Sequence, residues 1–136
     1  MIIREYENYN EQEVLNLYRS AGWINYTKDP SMLKDAYENS LCILAAYEDD
    51  TLAGIIRVVG DGYSVIFIQD LLVLPEYQRK GIGTMLMNSV LEKYGNVYQT
   101  ILMTDDTEKT NAFYSSLGFI PAGKFGCNAF VKINRR

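Results

Sequence analysis

One short segment of the chain combines glycines and cations in an order suited to phosphate binding: Gln78-Arg79-Lys80-Gly81-Ile82-Gly83. It follows an apolar, strand-like run that ends at Pro75, and it precedes a long helical pattern that begins near Arg79. Glycines let a ligand approach the backbone, and the unpaired N–H groups at a helix N-terminus carry partial positive charge. This position between a strand and a helix predicts a phosphate site built mainly from the backbone.

A carboxylate interrupts the apolar run just before this segment. Asp70 lies within Val65–Leu74, and a carboxylate in a half-buried strand needs a hydrogen-bond partner or a substrate ammonium group. Because the chain has no histidine, an amine would lose its proton to a carboxylate, a tyrosine or a water chain. Two interpretations of Asp70 stay open: a general base that also binds the substrate, or a structural carboxylate that accepts loop N–H bonds. Gln69 lies on the opposite face unless a bulge changes the phase.

Composition and charge narrow the classes of function. The 136 residues are 48% hydrophobic and show no change in composition along the chain, so we predict one domain over 1–136. A net charge of -4 argues against nucleic-acid binding and is compatible with a cationic small substrate. With Cys42 and Cys127 far apart and no histidine, we expect no metal. Neither a signal-peptide pattern nor a membrane-length apolar run is present, which predicts a cytoplasmic protein without a membrane partner.

Alternating residue patterns predict the elements that position these residues. The predicted strands are Met1–Arg4, Leu41–Tyr47, Leu52–Val59, Ser64–Leu74, Val97–Met103 and Cys127–Ile133. The predicted helices run from an Asn10 cap to about Gly22, from Asp29-Pro30 to about Tyr37, from the glycine segment to Tyr94-Gly95, and from Asp105–Thr107 to Gly118. The second to fourth strands should form an antiparallel meander. A helical crossover makes the fourth and fifth strands parallel neighbours.

Two segments of the chain resemble the signatures of the GCN5-related N-acetyltransferase superfamily. The first is Leu71–Pro75 followed by Gln78–Gly83, and the second is Phe113–Phe119. The order of predicted elements also resembles this family over essentially the whole chain. The resemblance implies an α/β fold with a mixed, mostly antiparallel central sheet that splays open between strands four and five and is flanked by about four helices. It also implies that acetyl-coenzyme A (acetyl-CoA) lies in the opening.

The resemblance implies a role for each position near that opening. The pyrophosphate would accept hydrogen bonds from the backbone of Arg79–Thr84, and the backbone near Leu72 and Val73 would pair with the pantetheine arm. A bulge near Leu72 and Val73 would offer an amide to the developing oxyanion. The predicted coenzyme-binding residues are Leu72, Val73, Gln78, Arg79, Lys80, Gly81, Ile82, Gly83, Thr84, Asn111 and Tyr114.

Tyr114 matches the general acid that is usual in this family. A phenol with an ordinary pKa near ~10 is protonated at neutral pH and can protonate a departing thiolate. The alternative is that Tyr114, one of 11 tyrosines, only packs. Family members frequently carry Asn seven residues before the tyrosine, where this chain has Thr107. Asn111 falls one turn later on the same helix and could reach the coenzyme, although a capping or surface role stays open.

The region between the first two helices carries candidate acceptor contacts. Trp23 and Tyr26 could form a pocket for an aromatic or alkyl amine, whose cation is attracted to the ring faces. Alternatively, these rings are core or dimer contacts. The resemblance implies an N-acetyltransferase that transfers acetyl from acetyl-CoA directly to a primary amine of a small molecule. A protein or peptide N-acetyltransferase and a non-catalytic acyl-CoA-binding module are the alternatives, and a homodimer is expected because dimers are common in the family.

Overall fold

The computed structural model describes residues 1–135, which form a five-stranded sheet and five helices. The strands are β1 (Ile2–Glu5), β2 (Cys42–Glu48), β3 (Thr51–Gly60), β4 (Val65–Val73) and β5 (Gln99–Leu102). The helices are α1 (Glu11–Ser20), α2 (Ile24–Thr27), α3 (Pro30–Glu38), α4 (Ile82–Lys93) and α5 (Glu108–Ser116). Short 3₁₀ turns lie at Pro75–Tyr77 and Ala122–Phe125.

The strands follow one another in the sheet in sequence order. β1 to β4 are antiparallel, and β4 and β5 are parallel, as the meander and the helical crossover predict. Pairing between β4 and β5 runs from Val65 opposite Gln99 to Ile68 opposite Leu102. Because β4 continues to Val73 while β5 stops, the two strands part at this point, which confirms the predicted opening of the sheet.

Helices cover both faces of this sheet. On one face, α1 and α3 contribute Leu17 and Leu33 to a core that also contains Ile55 and Leu72. On the other face, α4 packs against β2, β3 and β4. The buried residues of α4 recur at helical spacing and are Ile82, Leu86, Met87 and Val90.

Capping side chains set the helix starts that the sequence predicts. The Asn10 side chain accepts a hydrogen bond from the N–H of Glu13, and the Asp29 side chain accepts one from the N–H of Met32. Pro30 is the first residue of α3, where its missing N–H removes no helical bond. None of the helices within residues 1–135 is long and apolar enough to cross a membrane.

The chain divides into two compact units. The first runs from Met1 to Leu102 and contains the whole sheet with α1 to α4, and the second begins at Met103 and contains α5. In the second unit, the Thr107 side chain caps α5 by accepting from the N–H of Thr110. A single domain over 1–136 stays a prediction.

The predicted last strand, Cys127–Ile133, does not form. Residues 127–135 have no regular secondary structure, and Phe130 is 92% exposed. A strand needs a neighbouring strand for its N–H and C=O groups, and no strand pairs with this segment within the described chain. Its apolar residues predicted a strand, and that prediction is wrong because pairing depends on a neighbouring strand and not on the segment itself.

Candidate functional site

The loop between β4 and α4 has the backbone of a phosphate-binding turn. Arg79 has φ +65° and Gly81 has φ +79°, and α4 begins at Ile82 rather than near Arg79 because left-handed residues cannot continue a right-handed helix. A Cβ built on Gly81 meets no atom within 4 Å, so the space beside this glycine is open. The loop therefore presents backbone to whatever lies at the helix N-terminus.

Three backbone N–H groups at the start of α4 are available to a ligand. The N–H of Met85 donates to the carbonyl of Gly81 at 3.0 Å, so the N–H groups of Ile82, Gly83 and Thr84 precede the first helical bond. No described side chain caps this helix. Free N–H groups and the positive end of the helix dipole favour an anion such as phosphate here.

Side chains of the loop tie it to β4 and add charge. The Gln78 Nε2 donates to the carbonyl of Val73 at 3.2 Å, which connects the loop to the end of the strand. Arg79 and Lys80 are exposed, and the Lys80 Nζ lies 5.4 Å from the centre of the Tyr77 ring. The loop thus combines a fixed connection to the sheet with two cations in solvent.

β4 has one unpaired edge beyond Ile68. Leu72 and Val73 pair with Ile55 and Gly54 of β3 on one side, and β5 has already ended on the other. An extended, amide-containing arm can add to such an edge through main-chain groups. The Leu72 side chain is buried, so only the backbone of this residue is available at the opening.

The bulge in β4 lies at Gln69. Arg57–Val58 of β3 pair with Asp70 and Ile68, which leaves Gln69 as the extra residue of β4. The resemblance implied a bulge near Leu72 and Val73; it lies three residues before Leu72, and both of those residues have regular partners in β3. The alternation of side chains along a strand did not show whether Gln69 or Asp70 is exposed. With the bulge, Gln69 is exposed and Asp70 is buried.

Asp70 lies in a buried polar network beneath α1 and α3. Its Oδ2 accepts from the Arg57 Nε at 2.7 Å and from the Tyr18 hydroxyl at 2.6 Å. The hydroxyls of Tyr18 and Tyr37 are 3.1 Å apart, and the Arg57 Nη1 donates to the Ser40 Oγ at 3.3 Å. Burial raises the pKa of Tyr18 well above its usual range, and the neighbouring Tyr37 and Asp70 raise it further.

Charge pairing outweighs burial at the guanidinium of this network. Burial alone would lower the pKa of Arg57, but the adjacent Asp70 carboxylate raises it overall, so Arg57 stays charged. The Asp70 side chain has no exposure to solvent, and its Oδ1 has no hydrogen-bond partner within residues 1–135. The carboxylate therefore has one saturated oxygen and one oxygen able to accept a further bond.

The two predicted acceptor residues lie together above this network. The ring centres of Trp23 and Tyr26 are 6.4 Å apart, and Tyr18 lies 6.0 Å from the first and 5.3 Å from the second. The Gln69 Nε2 donates to the Tyr26 hydroxyl at 3.2 Å. Trp23 remains 38% exposed, so the cluster forms a wall with an accessible aromatic face beside the bulge.

Tyr114 and Asn111 belong to the second unit. The Tyr114 ring packs edge to face against Phe113 and Phe119, at centre distances of 5.0 Å and 5.9 Å, and burial raises its pKa. The Asn111 Nδ2 donates to the Asp106 Oδ1 at 3.2 Å. Tyr114 is therefore a protonated phenol in an apolar surrounding, and Asn111 already has a partner at the start of α5.

Sequence reasoning missed Arg57 and Tyr18. Arg57 is the single charged residue in the apolar strand Thr51–Gly60, and a cation at that position needs a buried anion nearby. That signal could have paired it with Asp70. Tyr18 occupies an apolar position of α1, and its spacing gives no sign of a polar role.

The described residues contain no cluster suited to a metal ion. Within residues 1–135, no three histidine, cysteine, aspartate or glutamate side chains are placed to hold one. Cys42 is buried and Cys127 is exposed, and both are free thiols.

Solved structures share this architecture. A GNAT family acetyltransferase from Streptococcus pneumoniae TIGR4 is 41% identical, with a TM-score of 0.87 over 99% of this chain and 98% of that one. The fold is also that of PaiA N-acetyltransferase from Thermoplasma acidophilum, solved in complex with coenzyme A, at a TM-score of 0.68 and 19% identity over 85% of this chain and 87% of that one.

Sequence comparison agrees with this likeness. GCN5-related N-acetyltransferase 3, chloroplastic, of Arabidopsis thaliana is 30% identical over 115 residues, covering 82% of this chain and 46% of that protein. The chain spans only 46% to 62% of the length of the curated relatives that it matches. The profile of the Acetyltransferase (GNAT) family matches residues 6–119, which includes both signature segments, and the chain therefore belongs to the GNAT family of acetyltransferases.

Proposed function

We propose that this chain is an N-acetyltransferase that transfers the acetyl group of acetyl-CoA to a primary amine of a small molecule. The observation that carries the proposal is the continuity between the free N–H groups of Ile82–Thr84 and the unpaired edge of β4, connected by the bond from Gln78 to Val73. A phosphate-bearing ligand with an extended amide arm matches both parts.

The residues present fit the coenzyme. The start of α4 would hold the pyrophosphate, Arg79 and Lys80 would add charge, and the edge of β4 near Leu72 would pair with the pantetheine amides. The open space beside Gly81 leaves room for a phosphate close to the backbone. When bound, acetyl-CoA supplies an acyl carbon that is already activated as a thioester.

The transfer forms one C–N bond and breaks one C–S bond. The acceptor, an ammonium cation at neutral pH, loses two protons over the reaction, one before its nitrogen attacks and one as the amide forms. One proton goes to the departing sulfur, and the other leaves to solvent. Tyr114 is assigned as the acid that protonates the sulfur, because its pKa is raised and it stays protonated at neutral pH. Asp70 Oδ1 has no hydrogen-bond partner in the described chain, and we assign it as the acceptor of the amine proton, which requires the amine or a water molecule to enter beside this buried oxygen.

The acceptor would bind at the aromatic wall of Trp23 and Tyr26. A primary amine is a cation at neutral pH, and aromatic faces attract cations by about 0.5–2 kcal/mol. Gln69 adds an amide carbonyl that can accept a hydrogen bond from the amine, since its Nε2 already donates to Tyr26. These features favour a small cation with an apolar portion.

Calorimetric titration with acetyl-CoA, coenzyme A and ATP tests the donor site. We expect both coenzymes to bind and ATP to bind much more weakly, because ATP lacks the pantetheine arm. A thiol-release assay across small amines, amino acids and peptides then tests the acceptor. Turnover confined to peptides contradicts the small-molecule assignment, and coenzyme binding without turnover on any amine contradicts the enzymatic one.

A further inference from the structure

The bulge at Gln69 is accompanied by a change in the direction of side chains along β4. Ile68 pairs with Val58, and Asp70 pairs with Arg57, so the side chains on either side of Gln69 point to opposite faces of the sheet. Arg57 also pairs with Ile43 of β2, whose side chain belongs to the core under α1 and α3. Asp70 therefore faces α1 and α3, in agreement with its bonds to Tyr18 and Arg57.

Regular pairing without the bulge would place Asp70 on the wrong face. In that register Gln69 would pair with Arg57, and Asp70 would pair with Ile56 and turn toward α4. The α4 face offers only apolar buried side chains, such as Leu86 and Met87. An unpaired buried carboxylate there, with an unpaired buried Arg57 on the other face, is strongly unfavourable.

The network also connects to the aromatic wall. Asp70 binds the Tyr18 hydroxyl, the Tyr18 ring packs on Tyr26, and the Tyr26 hydroxyl accepts from Gln69, which precedes Asp70 in the chain. These contacts connect Asp70, Tyr18, Tyr26 and Gln69 in a ring around the bulge. Displacement of any one member therefore shifts the others.

We propose that Arg57, acting with Tyr18 through Asp70, is a positioning residue that holds β4 in its bulged register and so orients Gln69 and the adjoining strand edge for acyl transfer. The ion pair selects one register of the strand against another. This inference rests on the proposed function for its catalytic consequence, but the register itself is testable without activity.

The kinetic test compares Arg57→Leu, Arg57→Lys and Leu33→Ala. Leu33 is fully buried in the same core under α3 but has no bond to the network, so Leu33→Ala is a control for lost stability alone. We expect Arg57→Leu to lower kcat by about 10- to 100-fold, as small misplacements of reacting groups do, and to raise the KM for acetyl-CoA, because the strand edge near Leu72 shifts with the register. Arg57→Lys keeps the charge and should recover most of the loss, and Leu33→Ala should keep its kcat.

Tyr18→Phe is the milder variant, because it removes one hydroxyl and keeps the ring. It should lower kcat in the same direction by a smaller factor, even where Arg57→Leu does not yield folded protein. Two results together would overturn the proposal. In the first, kcat is unchanged in Tyr18→Phe and Arg57→Lys; in the second, kcat falls equally in Leu33→Ala and Arg57→Leu. The network would then serve stability only.

The register is read separately from the backbone amide resonances of Gln69 and Leu71 in isotope-labelled protein without substrate. These resonances should shift in Arg57→Leu and Tyr18→Phe and stay in place in Leu33→Ala. Unshifted resonances in the first two variants overturn the positioning role, whatever the activity. If the unmodified protein acetylates no amine, the proposed function fails. Shifted resonances would still support the role of Arg57 and Tyr18 in holding the register of β4.

Discussion

The loop between β4 and α4 and the buried network under α1 and α3 are built from different chemical groups. The loop offers N–H groups of the main chain at Ile82–Thr84, and its side chains are mostly in solvent. The network consists of side chains from four separate elements, and its central carboxylate is shielded from water. One site depends on backbone conformation, and the other depends on side-chain identity.

This difference predicts separate effects of mutation. Changes at the loop should alter coenzyme binding and leave the acceptor side intact, because main-chain donors do not depend on the network. Changes at the aromatic wall or at Tyr114, the proposed acid, should alter turnover and leave coenzyme binding intact. Variants that break this separation would show that the two regions act as one.

Gly83→Asp should have the largest effect and abolish coenzyme binding. An aspartate in the first turn of a helix is compatible with folding, because its carboxylate is attracted to the same free N–H groups. That carboxylate then occupies the place of the phosphate and repels it. Calorimetric titration with coenzyme A checks the loss.

Asn88→Asp provides the matched control for this variant, because it adds the same charge to an exposed position later in α4. It should bind coenzyme A normally. Normal affinity in Gly83→Asp would remove the phosphate site from the start of α4.

Tyr114→Phe should lower kcat by about 100-fold, the usual range for loss of a general acid, with near-normal coenzyme affinity. Because burial raises the pKa of Tyr114, the phenol stays protonated as pH rises, and kcat in the unmodified protein should fall only above pH ~10. Steady-state rates across pH check both statements. Full activity in Tyr114→Phe, or an alkaline decline that persists in it, would exclude this residue as the acid.

Gly54→Ala should weaken coenzyme binding by about 3- to 10-fold, because it disturbs β4 from the neighbouring strand. A Cβ on Gly54 would lie 2.7 Å from the carbonyl oxygen of Leu72, so the segment of β4 at the opening must move. The same strain should lower the free energy of unfolding by about 1–3 kcal/mol. Chemical denaturation and coenzyme titration measure the two effects.

Gly123→Ala is the control for Gly54→Ala, since a Cβ at that position meets no atom within 4 Å. It should change neither quantity. Loss of stability in Gly54→Ala with unchanged coenzyme affinity would show that the strand edge near Leu72 does not contact the coenzyme.

Tyr26→Phe should have the smallest effect, a decrease of about threefold in kcat/KM for the acceptor, because it removes one partly exposed hydrogen bond to Gln69. The ring itself remains. Steady-state kinetics with the best amine of the screen checks this value. Tyr63→Phe removes a hydroxyl from a residue that is 86% exposed outside the site and should leave kcat/KM unchanged. An equal decrease in both variants would contradict the acceptor role of the wall.

The family resemblance implied the opening between β4 and β5. Local patterns predicted the order of the elements, the caps at Asn10 and Asp29, and a glycine-containing turn before α4. These local features depend on residues that are close in sequence, where spacing and capping chemistry are decisive. The bulge was expected near Leu72 and Val73 and lies at Gln69, and the last strand was expected where none forms. Both differences concern pairing with another strand.

The sequence by itself determined the turn before α4, because glycines, cations and a helix start within one short segment are enough to place free backbone N–H groups at that point. It also identified the family through two linear segments. Only the tertiary structure decided the environment of Asp70. Whether that carboxylate faces solvent, substrate or Arg57 depends on a one-residue bulge and on side chains from distant elements, and the free energy of burying a charge is determined by those partners rather than by its neighbours in the chain.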